Sequence, residues 1–166
     1  MRVAFAALLS AACVQVQADL PPVCGSVSVD FPAVAAPTRA LSVPVEQTFD
    51  LGGGIDLSPI TDLRIDSGTV QAGDGSDLSF VQSLQIAVMP PPGSALPELP
   101  LLDWTAAAGA PVTRIDLPAA SRDLHPYLGS QGLSLRLRAT GSPPPYDWSL
   151  LVELCASGAV DETWSF

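Results

Sequence analysis

The sequence predicts an all-β fold: an antiparallel β-sandwich of about eight short strands, immunoglobulin-like in general architecture, with a small β-barrel as the competing closure. Three observations carry this. Apolar and polar residues alternate with period two over several stretches, of which "GLSLRLRATG" at 132–141 is the cleanest. The 17 Pro and 13 Gly are spread along the 166 residues, so they punctuate strands instead of forming one low-complexity block. After the opening segment no stretch of useful length repeats with the helical period. The length suits one domain that can bury roughly 68–70% of its unfolded surface. With 48% hydrophobic and 14% charged residues, the composition is the reverse of a disordered chain.

The elements follow in order. In 26–31, Val27, Val29 and Phe31 share a face. In 41–47, Leu41, Val43 and Val45 do, and Pro44 marks an edge strand because it cannot donate to a ladder. Residues 61–66 and 68–72 read as a third and a fourth strand, followed by the turn "AGDGSD". Residues 78–89 form the longest run, with Leu84, Ile86 and Val88 in step, and "PPPGSALPELP" breaks it. Residues 101–105 and 112–117 are short strands, the second with Thr113, Ile115 and Leu117 inward. One helical turn is expected at 121–124, capped by Ser121 and limited by Pro126. Residues 133–140 put Leu133, Leu135, Leu137 and Ala139 inward, and 148–155 is the last strong strand.

The first 18 residues read as a secretory signal peptide, leaving a single domain at 19–166. Arg2 supplies the charge, Val3 to Ala12 the apolar stretch, and Val16-Gln17-Ala18 the small residues a signal peptidase reads before Asp19. "LLSAAC" also looks like a lipobox, which would make Cys13 a lipidation site, although Ser10 stands where Leu or Val is usual. No later stretch has 18 consecutive apolar residues, so no transmembrane helix is expected. Once Cys13 is removed or lipidated, Cys24 and Cys155 remain. In an oxidising compartment these two allow one pairing, a disulfide between the first and the last strong strand.

The chain carries 7 Lys+Arg against 17 Asp+Glu, for a net charge of −10, and all seven bases are Arg. An acidic chain without a basic run is a poor partner for nucleic acid or anionic lipid. Catalytic candidates are thin. His125 is the sole histidine and reads as a polar turn residue; no G-x-S-x-G elbow occurs. A carboxylate pair across a cleft stays open among the 13 Asp, none of which the sequence singles out. One His and two bonded Cys cannot make a zinc site. Asp74, Ser76 and Asp77, with Asp66 brought near across a hairpin, offer oxygens for calcium without the 12-residue loop, so neither a metal site nor a cofactor is expected. Trp104, Tyr127, Tyr146, Trp148 and Trp164 could form a glycan or peptide platform, with Trp148 packing between sheets. Trp164 and Phe166 suggest the end of an outer-membrane barrel strand, against which stand Glu162 and strands shorter than the roughly 9–11 residues that span lipid.

The order "DLRIDSGTV", "DLSFVQSLQIAV", "VTRIDLPAASRDLHPYL", "LSLRLRATGSPPPYDWSLLVEL" resembles small uncharacterised secreted proteins and lipoproteins of Gram-negative bacteria. The likeness rests on strand patterning and the Asp123-Leu124-x-x-Tyr127-Leu128 step, and it transfers no functional residue. The expected function is that of an exported, non-enzymatic module of the bacterial cell envelope. It would sit in the periplasm, on the outer membrane as a lipoprotein, or outside the cell, and bind an envelope protein or glycan. A carboxylate-based hydrolase of polysaccharide and a subunit of an envelope assembly are the rivals. A deep pocket with buried acids would favour the hydrolase, and an exposed apolar patch or free sheet edge the assembly.

Overall fold

A computed structural model describes residues 13–31, 41–49, 59–75, 77–107, 111–129, 132–142 and 146–165. Nine strands run in chain order: β1 (Cys13–Phe31), β2 (Leu41–Phe49), β3 (Ile60–Ala72), β4 (Val81–Met89), β5 (Leu99–Thr105), β6 (Arg114–Leu117), β7 (Leu128–Gly129), β8 (Gly132–Gly141) and β9 (Trp148–Ser165). They form two curled antiparallel sheets, one ordered β1-β9-β3-β6 and the other β2-β8-β4-β5 with β7 added to β8. The all-β, two-sheet expectation is met.

Period-two patterning explains the layers. In β8 Leu133, Leu135, Leu137 and Ala139 are buried to 2% exposure or less, while Arg138 and Thr140 face solvent. Leu84, Ile86 and Val88 of β4 and Leu150, Val152 and Leu154 of β9 point into the same core. Every buried side chain among the described residues is apolar, apart from the Tyr127 hydroxyl and Trp148 indole. Phe31 stacks on Trp148 at 4.1 Å between ring centroids, and Phe80 meets the indole edge-on at 4.8 Å, so Trp148 packs between the sheets as expected.

The disulfide forms, Cys24–Cys155, with the two residues directly opposed in the β1–β9 ladder and 4.0 Å apart at Cα. They are neighbours within one sheet, not partners across the core. The alternation puts them on the solvent face, where Cys24 is exposed.

Several expected elements are corrected. The third and fourth strands are one, β3, with a register shift between Ile65 and Ser67. Its "IDSG" is a bulge and not a hairpin. Thr113 is exposed and precedes β6, which is reduced to four residues. No helical turn forms at 121–124; a 3₁₀ turn sits at His125–Tyr127 instead. Pro126 falls in its first turn, where an absent N–H costs nothing. Asp123, not Ser121, accepts the His125 N–H, at 2.8 Å. The strands are also longer than expected, with 19 residues in β1 and 18 in β9. Strand length therefore no longer argues against a membrane barrel, but the outward faces do. Ser28, Asp30, Glu153 and Arg138 look outward, where lipid would require an apolar band.

Edges are managed locally. β6 covers Gly68 to Gln71 of β3, and beyond it Ala120 N–H reaches Ile65 O and Leu124 N–H reaches Leu63 O. β5, the edge of the second sheet, carries Pro100, a residue suited to an edge. Pro44 likewise lies in β2 at the other edge of that sheet. No described helix is long and apolar enough to cross a membrane. β1 extends back across Ala18 and Asp19, so residues 13–18, read above as the end of a leader, pair with 160–165 of β9.

Candidate functional site

The most developed arrangement of polar side chains lies on the outer face of the second sheet, across β8, β4 and β5. The register lays it out in rows perpendicular to the strands. Thr140 stands opposite Ser83, and their hydroxyls are 2.6 Å apart. Next, Arg138 stands opposite Gln85, which stands opposite Asp103. Then Arg136 stands opposite Ala87, which stands opposite Pro100. A bulge builds the β5 end of these rows. The pairing shifts between Ile86 and Ala87, leaving Leu101 as the extra residue. Leu99 and Leu102 therefore both face inward, and Pro100 and Asp103 both face outward. Strict alternation from Leu99 would have buried Asp103.

One side chain differs between the two charged rows. At the Ala87 row nothing stands between β8 and β5, so Arg136 crosses β4 and pairs with Glu98, just before β5. At the next row Gln85 occupies the crossing, donating from Nε2 to Asp103 Oδ1 at 3.4 Å. Arg138 makes no ion pair with Asp103, whose strand runs two strand spacings, roughly 10 Å between backbones, from β8. The Arg138 side chain is exposed and makes no ion pair or hydrogen bond among the described residues. The β2 residue opposite it is the uncharged Pro44. Between the rows lies a groove of about 230 Å³, floored by the side chains of Ala87 and Pro100 over the backbone of Ile86 and Leu102, and rimmed by Gln85, Glu98, Asp103, Arg136 and Arg138.

Other predicted residues lie elsewhere. Asp66 accepts a bond from Ser157 Oγ at 2.8 Å in the middle of the β3–β9 ladder, one full half-strand from Asp74. The proposed approach across a hairpin fails because there is no hairpin. Asp77 is occupied by the N–H groups of Ser79 at 2.6 Å and Val112 at 3.3 Å, and Ser76 lies outside the described residues. No group of three or more metal-binding side chains is found among the described residues. The four aromatics whose side chains are described, Trp104, Tyr127, Tyr146 and Trp148, do not form a platform. Trp148 and Tyr127 are buried, the latter donating from its hydroxyl to Pro97 O at 3.0 Å, and Trp104 is half-buried. Tyr146 alone of the five is seen to be exposed; the Trp164 and Phe166 side chains lie outside the described residues.

Two further features are polar. At one end of the sandwich, Asp30, Asp74 and Asp147 rim an open cleft of about 500 Å³ against Phe31, Trp148 and Ser149. All three acids are exposed, and the buried Trp148 Nε1 has no acceptor. At the opposite flank Asp123 Oδ1 clamps the Leu63 N–H at 3.1 Å and the His125 N–H at 2.8 Å. Burial pushes its carboxyl up, but the two amide bonds, the Asp62 carboxyl and the charge of His125 outweigh burial and hold it below the ordinary value. This pins the turn after β6 to β3, and His125 itself is exposed.

Sequence reasoning missed Arg136, Arg138, Gln85 and Asp103 as a group. The outward positions of β8 were legible, but their alignment with β4 and β5 depends on register and on the bulge. No family model and no curated protein matches the chain.

Proposed function

We propose that the protein is an exported, non-enzymatic binding module of the bacterial cell envelope, whose ligand-binding face is the outer surface of β8, β4 and β5. The observation that carries this is the groove beside Arg138. It combines an apolar floor, aligned polar groups and an uncompensated guanidinium, all mounted on strands, which hold side chains more firmly than loops do. The leader pattern and the disulfide both fit an oxidising location, and the lipobox-like Cys13 would anchor the chain there. The partner is an envelope glycan or protein. Intact mass of the protein from envelope fractions, with identification of what co-purifies, tests the reading. A mature chain beginning at Asp19 or at lipidated Cys13 is expected; a chain that keeps Met1 and stays in the cytosol overturns it.

The hydrolase reading keeps one specific support, the three carboxylates around the end cleft. Their exposure favours ligand contact over acid catalysis, which needs a carboxyl kept protonated by its surroundings. Release of reducing sugars from polysaccharide, abolished in Asp30→Asn or Asp147→Asn, would revive it.

A further inference from the structure

We infer that the groove beside Arg138 takes a carboxylate: a small monoanionic group received by the Arg138 guanidinium, with the rest of the ligand lying on Ala87 and Pro100. This rests on the binding reading above and names its ligand chemistry. Of the five described arginines, Arg64, Arg114 and Arg136 are spent on Asp62, Asp116 and Glu98. Arg122 is exposed on the turn after β6, beside the other face of Pro100. Arg138 is the unpaired one mounted mid-strand at the rim of a groove. Its availability is built in. Gln85 keeps it from Asp103 in the way that Ala87 fails to keep Arg136 from Glu98. A guanidinium presents a planar fork that matches a carboxylate through two parallel bonds.

The charge around the groove limits the ligand. Among the lining residues Glu98 and Asp103 balance Arg136 and Arg138, and Glu46 stands opposite Arg136 on β2, in a chain of net charge −10. A dianion such as phosphate would be opposed by both acids and by the wider field. A single carboxylate facing Arg138 keeps the favourable contact and meets the least repulsion. Its remainder must tolerate an apolar floor, which the faces of a sugar ring or a short aliphatic chain do.

NMR titration of the purified protein tests this with three probes: glucuronate, N-acetyl-alanine and the uncharged methyl ester of glucuronate. The expected result is saturable shifts at Arg138 Nε–Hε and the Gln85 amide with one or both carboxylates and none with the ester. The preferred carboxylate tells an acidic glycan from a peptide. Arg138→Gln should weaken binding about tenfold or more, as loss of a bidentate charged contact does. Gln85→Ala should weaken it comparably with Arg138 intact, because Arg138 then crosses β4 to Asp103. The double variant Gln85→Ala/Asp103→Asn should restore it. These residues are on the solvent face, so folding is preserved. Inference and function fail separately. Co-purification of an envelope ligand without carboxylate binding overturns only the ligand class. Absence of saturable shifts, equal binding of the ester or of inorganic phosphate, or binding unchanged in Arg138→Gln each overturns the inference.

Discussion

Replacing both Cys24 and Cys155 by Ser removes a covalent link that, in the folded state, joins residues already held together by the β1–β9 ladder. The bond lies on the solvent face, so its loss opens no cavity in the core. Its effect is exerted on the unfolded chain. With a sequence separation of 131 between the two cysteines, the chain-entropy relation gives about 5 kcal/mol at 25 °C. Residual compactness of the unfolded state reduces that, and about 3–5 kcal/mol is expected. The assay is urea unfolding of the two proteins at neutral pH without reductant, followed by Trp fluorescence, which reports on the buried Trp148. The expected outcome is a lower midpoint for the variant, a steeper dependence on urea because its unfolded state is less constrained, and an unchanged native spectrum. A loss below about 1 kcal/mol would refute the placement of the stabilisation in the unfolded state. Free thiols at Cys24 and Cys155 in the folded, exported protein would refute the pairing itself.

Gly141 has φ +153° and an added Cβ would fall 2.0 Å from Phe80 O, so Gly141→Ala should cost about 2–3 kcal/mol or more in thermal or urea unfolding. Leu135, fully buried in the middle of β8, should cost about 3–5 kcal/mol as Leu135→Ala, read in the same assay. Asp123→Ala should cost about 1–2 kcal/mol at neutral pH by freeing the Leu63 and His125 amides. Because the Asp123 carboxyl is held below its ordinary value in the folded state, its contribution is complete above about pH 4 and lost as the pH falls through the lowered value. The difference between wild type and Asp123→Ala should therefore shrink in acid.

Where an element depends on local alternation alone, the sequence is a good guide. The inward faces of β8, β4 and β9 and the position of Trp148 follow from period two and from the size of the indole. What fails involves extra or missing residues in a ladder. "IDSG" in β3 carries Ser and Gly, which read as a turn, yet the chain absorbs them as a bulge while keeping its β9 partner. The expected fourth strand and the Asp66–Asp74 approach both fall with that misreading. The groove fails for the same cause. Asp103 faces outward because Leu101 is inserted, and Arg138 meets Gln85 because of register, and neither is written in the composition of one strand.

The two proposed processing routes would leave different molecules, and the β1–β9 register says how they would differ. Lipidation at Cys13 would retain all of β1, whose first residue is Cys13, opposite Ser165 at the end of β9. Cleavage before Asp19 would remove the partners of Val160 to Ser165 on that side, while β3 reaches only as far as Val160 on the other. Residues 161–165 would then lack a neighbour on both edges among the described residues, and an unpaired strand of that kind recruits another chain or frays. The pair Cys24–Cys155 lies six residues inside the cleaved end, beyond the irregularity at Leu20/Val23, and holds β1 to β9 there whichever route is taken. The core from Val27 to Phe31 and from Trp148 to Leu154 is therefore insulated from processing, and so is the Arg138 groove on the other sheet. If the leader is processed as proposed, the change falls on the far end of the first sheet, where it would decide whether the last residues of β9 are part of the fold or available to another chain.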